Sequence, residues 1–355
     1  MEEELKPLRE GIDALDEQII ALLSERAKLA QAVGEIKKRH RAPAFRPERE
    51  AEVLRNIMAK NPGPLPGEGL RLIYREVMSA CRALESVTRV AFLGPSGTFS
   101  EAAVHAQFGR SVDAIACSSI DEVFRATEAG TSDYGVVPVE NSTEGVVNRT
   151  LDLLLQTPLR ISGEVSIAVH HNLMTLSGAM SGVTRVCAHA QALAQCASWL
   201  ATHYANVECV PVASNGEAAR LARDEPHTAA IASESAAANF GLHIVARHIQ
   251  DDPHNTTRFA VLGRVETAPS GRDQTSIVVA VPHVAGSVYK MLEPLARHGV
   301  SMTMFESRPS RNGVWTYYFY IDVEGHESEP KVANALDELR AMCGFFKILG
   351  SYPLT

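Results

Sequence analysis

LKPLREGIDALDEQIIALLSERAKLAQAVGEI, residues 5–36, decides the architecture of the first part of the chain. Leu5, Leu8, Ile12, Leu15, Ile19, Leu22, Arg26, Leu29, Val33 and Ile36 follow one another at alternating spacings of three and four residues. That spacing draws one continuous stripe along a helix. Arg26 interrupts it with a charge. A guanidinium cannot shed its proton, and burying it is costly unless an anion meets it. Arg26 alone fits two situations: a helix lining an anion site, or a cation that snorkels to the rim or pairs with an acid on a neighbouring helix.

Working outward, residues 1–87 read as all helix. His40-Arg41-Ala42-Pro43 breaks the first helix, a second opens near Pro47, and the turn-rich run from Asn61 to Gly67 precedes a third from Leu70 to Leu84. Three helices with one very long member make a poor core for a single copy, so the stripe calls for a helical dimer.

At Val87 the texture changes. Short apolar runs alternate with helical patterns: Val90 to Leu93, Tyr134 to Val137, Val183 to Ala188, Val207 to Val212, Ala229 to Ile231 and Phe259 to Leu262. This alternation argues an open α/β architecture, long enough for two lobes around a cleft. A polar linker from Ala268 to Asp273 leads to the last texture. There strands at Thr275–Val281, Ser301–Ser307, Trp315–Val323 and Phe345–Tyr352 and helices at Gly286–His298 and Glu329–Met342 follow the order βαββαβ, a ferredoxin-like module.

The bulk properties exclude several classes. With 355 residues, 45% apolar and 21% charged, the chain is that of a multidomain globular protein. A net charge of −8 argues against nucleic-acid binding, and there is no apolar run long enough for a membrane span. The N-terminus is acidic, unlike a signal peptide, and a cytoplasmic location is expected. Six scattered cysteines, with no Cys-x-x-Cys pair, point to a reducing compartment and to no metal site. His170-His171 are neighbours that a strand turns to opposite sides, so they do not read as a ligand pair.

Three constellations carry chemistry. Arg26 and Lys37 are eleven residues apart, close to three helical turns, and share a face. Arg9 lies beyond the reach of that face unless a second chain supplies it. Arg46, Arg49 and Glu50 open the second helix and Glu85 closes the third, a set suited to a small ligand with more than one carboxylate. Next, Gly94-Pro95-Ser96-Gly97-Thr98-Phe99-Ser100-Glu101 follows a strand, and Thr98 with Glu101 has capping-box spacing, which leaves free backbone N–H groups facing the loop. Finally, Pro138 to Gly145, with Asn141 and Ser142, and Asn255-Thr256-Thr257-Arg258-Phe259 place polar clusters at strand ends.

On these residues, 5–85 resembles the AroQ-type chorismate mutases, intertwined all-helical dimers that rearrange chorismate to prephenate. The resemblance implies substrate contacts by Arg26, Lys37, Arg49 and Glu50, and by Arg9 of a second copy. Lys37, with Glu85 as companion, would meet the ether oxygen on which negative charge develops. Arg46, Cys81 and Glu85 stand where Asp, Ser and Gln are common, and only a protonated Glu85 could donate to that oxygen. Residues 88–266 resemble the prephenate dehydratase domain, a two-lobed, periplasmic-binding-protein-like α/β fold. This implies Thr257 beside the leaving hydroxyl, Arg258 as carboxylate anchor, and Ser96, Thr98, Asn141, Ser142 and Thr256 on the substrate wall.

Residues 274–355 resemble the ACT regulatory domain, which binds amino acids between paired modules. Gly286-Ser287-Val288-Tyr289 and Glu306-Ser307-Arg308-Pro309 match its effector loops, although the first motif is usually Gly-Ala-Leu. Phenylalanine is the implied effector, and no cofactor is implied. The order of the three resembles the bifunctional chorismate mutase/prephenate dehydratases. A non-catalytic amino-acid sensor built on the same folds is the alternative.

Overall fold

The computed structural model describes residues 1–40, 42–282, 284–309 and 317–354. They form two compact units: Met1–Arg46 with Glu52–Thr88 and Phe108–Asp113, and Pro47–Ala51 with Arg89–Gln107 and Ala114–Thr355.

In the first unit, α1 (Glu2–His40) carries Glu2, Glu3 and Glu4 in its first turn and Lys37, Lys38, Arg39 and His40 in its last, each complementing the helix dipole. Pro47 opens α2 (Pro47–Ala59) at the position where a missing N–H costs nothing, and α3 (Gly67–Ala83) follows. Gly34 is the buried residue of α1. A Cβ there would stand 2.7 Å from Cγ of Glu85, so α1 and the end of α3 approach as closely as glycine permits. The apolar stripe is open, from Leu29 at 70% exposure to Val33 at 47%. One copy of the chain does not bury it.

The second unit contains three sheets. Strands β1 (Arg89–Leu93), β2 (Asp113–Cys117), β3 (Tyr134–Asn141), β4 (Gly145–Val146), β5 (Arg160–Ala168) and β11 (Thr256–Gly263) form the first lobe, in the order β2-β1-β3-β11-β5 with β4 on β3. The helices α4 (Phe99–Phe108), α5 (Ile120–Ala129) and α6 (Asn148–Gln156) connect them. A second lobe holds β6 (Asn172–Thr175), β7 (Arg185–His189), β8 (Glu208–Val212), β9 (Thr228–Ala232) and β10 (His243–Ala246), ordered β10-β6-β9-β7-β8. Its helices are α7 (Ala190–Gln195), α8 (Ala197–His203), α9 (Asn215–Asp224) and α10 (Glu234–Phe240). Alanines at 218, 219, 222, 236 and 237 let α9 and α10 lie close on the fully buried β9.

The chain crosses between the lobes twice, at 169–171 and at 247–255. Sequence patterning singles out β1, β3, β7, β8, β9 and β11, but not the short β2 and β4, nor β5, β6 and β10, whose apolar residues are interleaved with Ser, Glu, Asn, Thr and His. At the start of α4 the capping box is modified. Thr98 Oγ1 donates to the Leu93 carbonyl, and the Glu101 carboxylate reaches back to the N–H of Gly97 rather than to that of Thr98.

The third sheet joins β12 (Asp273–Ala280), β13 (Met302–Pro309), β14 (Tyr317–Glu324) and β15 (Phe345–Pro353) in the order β13-β14-β12-β15, all antiparallel. With α11 (Ser287–Arg297) and α12 (Pro330–Met342) this is the expected βαββαβ order. Of the strand expected from Trp315, residues 315 and 316 lie outside the described residues. Ile277, Val279, Ile321 and Val323 face α11 and α12, whereas their neighbours Val278, Tyr320, Leu349 and Tyr352 join the core of the first lobe with Val137, Leu154 and Ala260. Both faces of this sheet are therefore covered, which is why every residue of β12 is buried. At Gly350 a Cβ would meet the backbone of Ile161, so β15 lies directly against β5.

Candidate functional site

A cavity of about 460 Å³ opens between the two lobes of the second unit. From the first lobe Thr98, Phe99 and Ser100 bring the start of α4, and Asn141 and Thr257 come from adjacent strands. From the second lobe Ser214 and Asn215 bring the start of α9, and His171, His189 and Gln195 complete the wall. Among the described residues, the lining contains no lysine or arginine. Anions would be met there by hydroxyls, amides and the unpaired N–H groups of two helix N-termini.

The hydrogen bonds fix how Thr257 is presented. Oδ1 of Asn141 accepts the N–H of Thr143 and of Glu144, each at 3.1 Å, and the Thr143 hydroxyl at 2.6 Å. The amide of Asn141 must therefore point its nitrogen the other way, where Nδ2 donates to Thr257 Oγ1 and to Asn255 Oδ1, both at 2.8 Å. Thr257 is thus an acceptor toward the protein, and its own proton is left for a ligand. The chain of bonds continues into the second lobe: Asn255 Nδ2 donates to Gln195 Oε1 at 3.0 Å, and His171 Nε2 lies 2.9 Å from the same oxygen. That oxygen only accepts, so His171 carries its proton on Nε2. Burial, then neighbouring His170, hold the imidazole pKa below its ordinary value and so favour the neutral ring. Gln195 Nε2 closes the circuit on Thr143 Oγ1 at 3.2 Å.

Gln195 is the part of this network that comes from the far lobe. Gln195→Leu is expected to lower turnover in the cleft roughly tenfold, about what loss of one buried hydrogen-bonding group costs, and to leave turnover in the helical unit unchanged. Separate steady-state assays on the two substrates check this.

Arg258 does not reach the cavity. Successive residues of a strand face opposite sides, and with Thr257 on the cleft its neighbour is turned to the other face of the sheet. There its guanidinium meets Glu140 at 3.2 Å, Glu164 at 2.9 Å and Asp322 at 2.8 Å. The expected role as carboxylate anchor is corrected accordingly. Ser96, Ser142 and Thr256 also lie off the lining. Ser142 and Thr256 bond to each other through backbone and hydroxyl, and the Thr256 hydroxyl donates to the His254 carbonyl.

In the helical unit, Lys37 Nζ donates to Glu85 Oε2 at 3.1 Å and to the Ala44 carbonyl at 2.8 Å. Glu85 is well buried, and the glycine at position 34 makes room for it. Arg26 is half-buried, and its side chain makes no hydrogen bond or ion pair among the described residues. Cys81 is buried. Arg9 pairs with Glu2 at 2.6 Å, roughly 26 Å along the helix axis from Arg26 at 1.5 Å per residue. Arg46 ends one segment of this unit, whereas Arg49 and Glu50 lie in Pro47–Ala51, assigned to the other.

Models of three families match consecutive stretches: chorismate mutase type II over residues 8–86, prephenate dehydratase over 90–267 and the ACT domain over 275–341. A bifunctional chorismate mutase/prephenate dehydratase of Neisseria gonorrhoeae is 48% identical over 99% of this chain and 98% of its own length. The chain belongs to the bifunctional chorismate mutase/prephenate dehydratase family. A second member, from Stutzerimonas stutzeri, is 47% identical over 99% of this chain and 98% of the relative. Among solved structures, the prephenate dehydratase of Arthrobacter aurescens in complex with L-Phe is 34% identical, with a TM-score of 0.69, covering 75% of this chain and 90% of that one.

In this member of the bifunctional family the two ACT loops take different forms. Gly286, in the left-handed conformation at φ 83°, caps α11, and the Ser287 hydroxyl donates to the Pro282 carbonyl while Val288 is exposed. Glu306 and Ser307 lie on β13, the edge strand of the sheet. Arg308 is turned into the first lobe, where it pairs with Asp152 at 3.2 Å and donates to the Asn148 carbonyl at 2.6 Å. Within one chain it is therefore bound to α6 rather than open to an effector.

Sequence reasoning passed over Gln195, set His171 aside with His170, and named Asn255 only within a polar cluster. Asn255 directly precedes the Thr-Thr-Arg-Phe run and was within reach of pattern reading. Gln195 closes a short alanine-rich helix with no local peculiarity, and only the fold brings it to Asn255, sixty residues away in sequence.

Proposed function

We propose that the helical unit rearranges chorismate to prephenate and that the interlobe cleft converts prephenate to phenylpyruvate, with phenylalanine acting as inhibitor through the ACT module. The observation that carries the dehydratase assignment is the Thr257 hydroxyl, open to the cleft with its oxygen already accepting from Asn141.

In that reaction the bond between the ring and its carboxylate breaks, and carbon dioxide leaves. The electron pair enters the ring, and the ring hydroxyl departs with its own bonding pair, taking up a proton to form water. The ring becomes aromatic. Thr257 donates a hydrogen bond to the departing oxygen, and the N–H from Asn141 makes the hydroxyl a stronger donor by polarising it. A lining without cations suits this step. A lysine or arginine on the departing carboxylate would stabilise it most in the ground state, before its charge flows into the ring. The pyruvyl carboxylate keeps its charge and fits the N–H groups at the starts of α4 and α9.

In the mutase step no proton moves. Arg26 and Lys37 bind carboxylate and ether oxygens and hold the substrate compact. Arg9 acts from a second copy, since about 26 Å of helix separates it from Arg26. The open stripe of α1 supplies the contact surface for that copy, so the chain is a homodimer or a larger homo-oligomer. By family resemblance Arg46, Arg49, Glu50 and Cys81 are further candidates for binding this substrate. The effector loops, with Glu306 and Ser307 on an edge strand, suit phenylalanine held between paired modules. No helix among the described residues is long and apolar enough to cross a membrane. All six cysteines are unpaired, which suits the cytoplasm.

Incubating the purified protein with chorismate tests this reading. Chorismate is expected to disappear, prephenate to rise and fall, and phenylpyruvate to accumulate more slowly when phenylalanine is added. Binding of these ligands without consumption would instead support a sensor.

A further inference from the structure

Arg258 adjoins the proposed catalytic hydroxyl in sequence, yet one of its three carboxylate partners lies outside the dehydratase domain. Its Nη2 donates to Glu164 of β5 and to Asp322 of β14 in the ACT sheet, and its Nη1 donates to Glu140 of β3. Asp322 is almost fully buried and has further support, because its Oδ1 accepts the Ser276 hydroxyl at 2.6 Å. Ser276 in turn lies 2.8 Å from the Tyr352 hydroxyl, which takes a bond from Gln274 at 2.9 Å and lies 3.4 Å from Glu164. The guanidinium thus ends in a polar cluster built from three strands of the ACT sheet. Burial raises the pKa of both Glu164 and Tyr352, as expected for a dry junction.

The backbone beside this junction is irregular. Thr257 pairs with Asn141 and Arg258 with Glu140, but Phe259 pairs with Pro138, so the ladder skips Val139. A bulge loosens the local register, and side-chain anchors then decide where the neighbouring residues sit.

We propose that Arg258 is a positioning residue: it clamps the strand bearing Thr257 to Asp322, so that the ACT module sets the place of the catalytic hydroxyl across a single peptide bond. This rests on the dehydratase reading of the cleft. It differs from substrate binding in what it requires of Asp322, a residue of another domain that lies off the cleft lining.

The test measures prephenate dehydration by the full-length protein as Asp322→Asn, Arg258→Lys and the double variant. Asp322→Asn keeps the shape and an acceptor oxygen while removing the charge. If the clamp positions Thr257, each single variant lowers kcat roughly tenfold, the scale of a sub-ångström misplacement, and leaves KM within about twofold. The double variant is then no worse than the poorer single one, because both break one contact. If Arg258 instead bound substrate, Arg258→Lys would raise KM and Asp322→Asn would leave both constants at their wild-type values; that result overturns the proposal. Thermal unfolding of the same samples, followed by circular dichroism, reports folding. Should Asp322→Asn fail to fold, Tyr352→Phe, which removes only the hydroxyl between Ser276 and Glu164, reads the same split: lowered kcat supports the clamp, and wild-type constants overturn it. A wild-type protein that consumes no prephenate at all would count against the dehydratase reading itself.

Discussion

Thr257→Val is expected to lower dehydratase kcat by roughly 10²–10³-fold, the range for removing a donor aimed at charge that develops in the transition state. Valine keeps the branched shape on a strand and deletes only the hydroxyl. Prephenate should still bind, because the N–H groups of α4 and α9 are untouched, so the loss falls on kcat and not on KM. Thr257→Ser should recover most of the rate, since it restores a donor held by the same Asn141 amide. Mutase turnover by the same samples should not change. Steady-state assays with prephenate and with chorismate decide this, and a valine variant at the wild-type rate would remove Thr257 from the chemistry.

The second large effect is expected at Lys37. Its ammonium is held between Glu85 and the Ala44 carbonyl, so it is oriented before any ligand arrives. Lys37→Met should lower mutase kcat/KM by roughly 10²–10³-fold, again the cost of one preorganised donor at a developing oxyanion, while dehydration of added prephenate is unaffected. Glu85 sharpens the prediction. A carboxylate accepts until it is protonated, so it competes with the ether oxygen for Lys37 and cannot donate to that oxygen itself. Glu85→Gln should therefore raise mutase kcat/KM, because the amide competes less for Lys37 and can itself donate to the ether oxygen. A glutamine variant with unchanged or lower kcat/KM would contradict this role.

Much of the architecture follows from local pattern. The three-and-four spacing from Leu5 to Ile36 announces a helix with an unburied seam, and that seam is exposed in the single chain. The βαββαβ order is legible because each strand is an apolar run bounded by turns. The docking of the ACT sheet is not legible in this way: β12 is buried throughout, yet its first half is Asp273-Gln274-Thr275-Ser276, and the last three of these find their hydrogen-bond partners only in the fold. At the dehydratase cleft, Asn141 and Thr257 are recognisable as strand-end polar residues, and register pairs them directly.

Arg258 shows where such reading fails. Taken as part of one triplet with Thr257, it seems to belong to the substrate, but the two-residue period of a strand sends neighbours to opposite faces. Only the partner found on the far face reveals what the charge is for. Gln195 and His171 were hidden for a different reason. Their role arises when two lobes come together: nothing near Gln195 marks it, and the adjacent His170 suggests only a ligand pair that strand geometry rules out.

A structure of the Thr257→Val variant soaked with prephenate tests the central claim most directly. The account predicts prephenate between the two lobes, with its ring hydroxyl beside position 257, its pyruvyl carboxylate on the N–H groups of α4 or α9, and Arg258 still on Glu164 and Asp322. A ligand carboxylate on Arg258, or prephenate bound anywhere outside the cleft, would contradict it.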